Sequence, residues 1–192
     1  MTKSELNPAK TALVVIDLQK GVVGMPTEPR SPGEVVQNAR RLAVALRAKG
    51  AFIVFVKVSS SSDGRDRLHP ACDMPMAAAG KRPDDWAELV PEMAALKADH
   101  VITKRQWGAF YGTDLDLQFR RRGITTIVLC GIATCFGVES TARDAYERGY
   151  EQIFAEDAMA SRSAAEHEHT VRRIFPRIGR MRSTAEILAD VG

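Results

Sequence analysis

The chain has 192 residues, 45% of them hydrophobic and 27% charged, a balance that supports one packed soluble domain and excludes a chain disordered throughout. Its 14 Gly and 9 Pro fall short of a collagen-like or low-complexity composition. Lys and Arg number 27 against 24 Asp and Glu, a net charge of +3, and the cations are scattered along helical stretches, so nucleic acid is not expected as a partner.

No stretch approaches the roughly 18 apolar residues of a membrane helix, and the opening MTKSELNPAK lacks the apolar region of a signal peptide. The expectation is a cytoplasmic protein without a membrane partner. Cys72, Cys130 and Cys135 form no CxxC pair, so neither a disulfide framework nor a zinc ribbon is encoded.

The first apolar run, Thr11 to Ile16, is rich in β-branched residues, lacks a helical period and ends at Asp17, which reads as a buried strand. Ser31-Pro32-Gly33-Glu34 is a capping box with proline at the first helical position, and Val35, Val36, Ala39, Leu42, Ala43 and Leu46 then recur at helical spacing up to Gly50. Ala51 to Val58 is a second strand. Ser59 to Pro83 reads as a long loop that covers a cleft or meets another subunit. A short helix is expected within Asp84 to Lys97, then a strand from His100 to Thr103 that delivers Lys104.

Thr113 with Asp116 suggests a cap for a helix ending in Arg120, Arg121 and Arg122 before Gly123, where cations suit the helix dipole. Ile124 to Cys130 is an apolar strand, Gly131 to Gly137 a turn, and Val138 to Arg148 a helix. Glu151 to Ala155 and Arg177 to Arg182 read as further strands, with helices capped at Ser163-x-x-Glu166 and Ser183-x-x-Glu186. Apolar strands alternating with helices predict an α/β fold. The expected architecture is a three-layer sandwich, a mostly parallel sheet with helices on both faces, in a single domain over residues 1–192.

In such sheets ligands bind beyond the C-terminal strand ends. Asp17, Lys104 and the Gly131 to Gly137 turn all lie at that edge, and their convergence favours a functional site over a loop cap, a solvated lysine and a plain connection. The segment after the first strand, DLQKGVVG, lacks GxGxxG spacing, and no GxxxxGK[ST] occurs, so no nucleotide cofactor is expected. His69 and Cys72 lack further ligands, and His167 and His169 point apart on one helix, so no metal is expected either.

ALVVIDLQKG with Asp17 and Gln19, VITKRQWGAFYGTDL with Lys104, and LCGIATCFGVESTARDAYERGY together resemble the isochorismatase-like, or cysteine hydrolase, superfamily over nearly the whole chain. The resemblance implies a six-stranded parallel sheet, a homo-oligomer, a small-molecule substrate and hydrolysis by an aspartate, a lysine and a cysteine. Asp17 and Lys104 match the first two. Amidase members read G-I-A-T-x-x-C-V-E-S, which places their nucleophile where this chain has Gly137, while Cys135 stands two residues earlier. Isochorismatases proper also carry glycine there. They cleave a vinyl ether by protonating its methylene carbon, without an enzyme nucleophile. The resemblance further implies a cis peptide at Ile132-Ala133, with the amides of Ala133 and Gly137 as oxyanion donors.

The leading expectation is therefore acid/base hydrolysis by Asp17 and Lys104, with Gly137 in the nucleophile slot. A cysteine amidohydrolase using Cys135 and a catalytically silent binding or scaffold protein are the alternatives. Gln19, Trp107, Phe110 and Tyr111 are the candidates for substrate contact, with at least one aromatic ring walling the pocket over a flat substrate.

Overall fold

A computed structural model describes residues 6–74 and 82–191. The end residues of the expected 1–192 domain and positions 75–81 of the Ser59 to Pro83 loop lie outside the described residues. After a single turn at Pro8–Lys10, the strands are β1 (Thr11–Ile16), β2 (Phe52–Val58), β3 (His100–Lys104), β4 (Thr126–Ile132), β5 (Glu151–Ala160) and β6 (Arg180–Arg182). They pair in parallel in the order β3-β2-β1-β4-β5-β6. The order reverses between β1 and β4, so the crevice at their C-terminal ends is the natural ligand site of this topology.

The helices are α1 (Lys20–Val23), α2 (Pro32–Ala48), α3 (Pro91–Ala94), α4 (Leu115–Arg122), α5 (Glu139–Glu147), α6 (Ala164–His169), α7 (Phe175–Ile178) and α8 (Thr184–Asp190). Alternation along β1 explains why both faces of the sheet need cover. Leu13 and Val15 join a core with Val35, Leu42 and Leu46 of α2, while Ala12, Val14 and Ile16 join a second core with Phe119 of α4 and Ala142 of α5. The Ser31 and Ser183 capping boxes form as expected, and Ser163 accepts from the Glu166 amide.

Several element boundaries differ from the sequence reading, each for a local reason. β5 runs on to Ala160, past Glu156 and Asp157, because Asp157 Oδ1 accepts from the Thr184 amide and hydroxyl and so anchors α8. Only Arg180–Arg182 of the sixth strand is extended, since Phe175–Ile178 is a helical turn. The expected Thr113 and Asp116 box is replaced. Thr113 donates to the Ala109 carbonyl and accepts from the Leu115 amide, while Asp116 accepts from the Tyr150 hydroxyl. Between Asp84 and Lys97 only Pro91–Ala94 is helical, because the preceding segment bonds to α1 instead: the Lys20 amide donates to the Glu88 carbonyl and the Gly21 amide to that of Trp86. Finally, a π-helical turn at Thr134–Val138 precedes α5.

Candidate active site

Asp17 leaves the end of β1 with a positive φ of 53°, held by its amide donating to the Val56 carbonyl. A non-glycine residue in this region stores backbone strain, which clusters at functional sites. Lys104 ends β3, and its Nζ crosses the strand ends to lie 2.8 Å from Asp17 Oδ2. The same ammonium donates to the Trp107 carbonyl at 2.6 Å. Lys104 and Asp17 are only 1% and 6% exposed.

Burial raises the Asp17 carboxyl further than Lys104 lowers it, and its pKa is pushed up to about 6. Asp17 Oδ1 is buried without a protein partner. One oxygen is thus committed to Lys104 and the other is available to carry a proton.

The Ile132-Ala133 peptide bond is cis, and the π-helical turn that follows brings Gly137 against the ion pair. A Cβ on Gly137 would lie 2.9 Å from Ile16 Cγ2, 3.0 Å from Lys104 Nζ and 3.2 Å from Asp17 Oδ2. Glycine is what permits this approach. The turn is fixed from below by the Thr141 hydroxyl, which donates to the Gly137 carbonyl and accepts from the Ala109 amide.

Cys135 makes different contacts. Its Sγ lies 2.9 Å from Ser161 Oγ and 3.7 Å from Glu166 Oε2. Burial pushes the thiol pKa up, the Glu166 carboxylate pushes the same way, and the Ser161 hydrogen bond opposes them. The thiol form is favoured, and the thiolate is the nucleophile. Ser161 and Glu166 follow β5, and nothing near Cys135 in the chain signals them. Nor does the sequence pattern reveal that His167 is buried, with Nδ1 2.9 Å from Thr134 Oγ1.

Two of the expected substrate contacts are engaged within the protein. Gln19 is fully buried and acts as a structural pin: its amide donates to the Val58 and Trp86 carbonyls, and its Oε1 accepts from the Val58 amide. Phe110 is a core residue that packs with Phe119 and Tyr150. Tyr111 is 76% exposed. Trp107 stands half-exposed beside Phe136, the ring centroids 4.9 Å apart. Among the described residues, no three His, Cys, Asp or Glu side chains gather as metal ligands would, and no helix is long and apolar enough to cross a membrane.

A buried carboxylate and ammonium thus meet at the switch point of a doubly wound α/β sheet. Residues 11–186 match the Isochorismatase domain, and the chain belongs to the isochorismatase family, a family of hydrolases. It is 56% identical over 183 residues to the isochorismatase family protein YwoC of Bacillus subtilis, covering 95% of this chain and 94% of that one. The structure of an isochorismatase family protein from Burkholderia thailandensis is similar, with 44% identity, a TM-score of 0.91 and 97% of each chain covered. The ureidoacrylate amidohydrolase RutB of Variovorax paradoxus is 30% identical over 177 residues, 80% of this chain and 69% of its own.

Proposed function

We propose that the chain hydrolyses a small enol ether by proton transfer through Asp17, with Lys104 beside it and no covalent intermediate. The observation that carries this reading is the Asp17 carboxyl, which has one oxygen on Lys104, one free oxygen and a pKa of about 6. A general acid works best with a pKa near the operating pH. Its proton passes from Oδ1 to the terminal alkene carbon, and the alkene electron pair forms that C–H bond and leaves an oxocarbenium ion. Water adds to the cationic carbon and the Asp17 carboxylate takes its proton. The hemiketal then collapses: its hydroxyl gives up its proton as the electron pair forms the C=O bond, the C–O bond to the alcohol breaks, and the departing oxygen takes up a proton to leave a ketone and an alcohol. Lys104 holds the carboxyl in place and balances its charge between the two proton transfers.

Gly137 supports the absence of a nucleophile, since the space above its Cα is taken by the ion pair. The backbone amides of Ala133 and Gly137 are the donors this reading assigns to the hemiketal oxygen as it gives up its proton during the collapse. The second reading, an amidohydrolase acting through Cys135, draws on the kinship with RutB. Against it stands the thiol's engagement with Ser161 and Glu166 and its raised pKa.

The test is a turnover screen with 1-carboxyvinyl ethers, primary amides and N-carbamoyl compounds. Release of a 2-keto acid from a carboxyvinyl ether, with no acyl adduct on the protein by mass spectrometry, is the expected result. Amide turnover with an adduct on Cys135 would replace this reading with the second.

A further inference from the structure

Three side-chain ties join the segment after β5 to the turn that carries Gly137. Ser161 Oγ lies 2.9 Å from Cys135 Sγ, His167 Nδ1 lies 2.9 Å from Thr134 Oγ1, and the Thr170 hydroxyl donates to Glu139 Oε2 at 2.7 Å. Residues 161–170 thus grip residues 134–139, while the Thr141 hydroxyl of α5 holds the Gly137 carbonyl.

The middle tie differs from the other two. Thr134 is fully buried and His167 only 4% exposed, so water does not replace the bond when one partner is lost. Burial lowers the His167 pKa to about 4, with Arg30 pushing the same way and Glu168 opposing, and keeps the ring neutral. A neutral imidazole has one N–H and one acceptor nitrogen, and a hydroxyl both donates and accepts, so either tautomer completes the bond to Thr134. Thr134 and Gly137 share one π-helical turn, and a Cβ on Gly137 would meet Lys104 Nζ at 3.0 Å and Asp17 Oδ2 at 3.2 Å. The turn therefore lies directly over the ion pair, and whatever holds Thr134 also sets how closely the pair is covered.

We infer that His167 is a positioning residue: through Thr134 it holds the Thr134–Val138 turn against the Asp17 and Lys104 pair and keeps the carboxyl shielded from water. Its effect on turnover rests on the acid site given under Proposed function; its effect on the carboxyl does not. Burial is what raises the Asp17 carboxyl, so a loosened turn admits water, favours the charged form and lowers that pKa. A buried histidine that only filled space would change stability and leave the carboxyl as it was.

The test is the Asp17 carboxyl titration, followed by NMR on the full chain, in the wild-type protein and in His167→Leu, His167→Gln, Thr134→Val and Thr134→Ser. Leu and Val each remove one partner of the bond, whereas the Gln amide still donates and accepts and Ser keeps the hydroxyl. The midpoint should be about 6 in the wild-type protein and in the Gln and Ser variants, and should fall toward the ordinary 3.8 in the Leu and Val variants. On a carboxyvinyl ether, kcat should drop about 10- to 100-fold in those same two variants with KM little changed, the scale of a small displacement of catalytic groups. An unshifted midpoint in folded Leu and Val variants would overturn the inference and leave His167 a space-filling residue. So would an equal fall in the Gln and Ser variants, or a wild-type midpoint near 3.8. If His167→Leu fails to fold by circular dichroism, Thr134→Val, which removes the hydroxyl with little change of shape, decides. Absence of enol ether turnover in the wild-type protein, with the pattern of midpoints intact, would strike the proposed function and leave the positioning role standing.

Discussion

Lys104 Nζ sits 2.8 Å from Asp17 Oδ2 and 2.6 Å from the Trp107 carbonyl, so two of its three donors are spent before any substrate is considered. Its role is to fix the carboxylate, because a buried charge is tolerated only when paired and hydrogen-bonded. Lys104→Met alone should therefore destabilise the fold by about 3–5 kcal/mol, the cost of a buried charge that loses its partner. Combining it with Asp17→Asn should recover much of that loss, since both charges are then gone. Urea unfolding of the two single variants and the double variant checks this. Strictly additive losses would contradict the pairing.

Gly137→Ala places a methyl group within 3.0 Å of Lys104 Nζ and 2.9 Å of Ile16 Cγ2. The expected outcome is a loss of about 1–3 kcal/mol by overpacking, together with a fall in kcat as the ion pair is pushed apart. An alanine variant with unchanged thermal midpoint and unchanged turnover would show that the pair has room to spare.

Gln19 bridges β2 and the segment at Trp86 through three hydrogen bonds. Gln19→Leu should cost about 1–3 kcal/mol for each buried backbone group left unpaired, read from chemical denaturation. If it instead raised KM with stability untouched, Gln19 would be a substrate contact.

Asp17 and His167 pull stability in opposite directions with pH. The folded chain keeps the Asp17 proton up to about 6, whereas an unfolded aspartate releases it near 3.8, so this group's contribution falls as pH rises through that window. Buried His167 has its pKa lowered from 6.5 to about 4, chiefly by desolvation. Its contribution is therefore present above 6.5 and falls as pH drops toward 4. The two slopes oppose each other in the wild-type protein. His167→Gln should unmask the Asp17 slope, giving a protein whose stability rises on acidification from pH 6 to 4. Thermal midpoints across that range decide, and parallel curves for wild type and variant would contradict the assignment.

The topology was legible because each strand is a short apolar run between helix signals. The meeting of Asp17 with Lys104 was legible because both end strands that a parallel sheet must bring to one edge. What the chain did not disclose depends on three-dimensional approach. Phe136 stood in view beside Gly137, yet its pairing with Trp107 depends on how α5 docks through Thr141 and Gly108. Gln19 lies two residues from Asp17 and so reads as a site residue, although its amide is consumed by Val58 and Trp86. The charges of Glu156 and Asp157 hid the second half of β5, because an acidic pair looks like a strand end unless its partner Thr184 is known.

The central claim, that Asp17 carries the proton and no thiol attacks, is tested most directly by single-turnover rates of Asp17→Asn and Cys135→Ser on a carboxyvinyl ether that the wild-type protein turns over. A positioned acid or base contributes about 10²–10⁴-fold, so Asp17→Asn should lose a factor in that range, while Cys135→Ser should stay within a few-fold of wild type. A Cys135→Ser variant as inactive as Asp17→Asn would contradict the account.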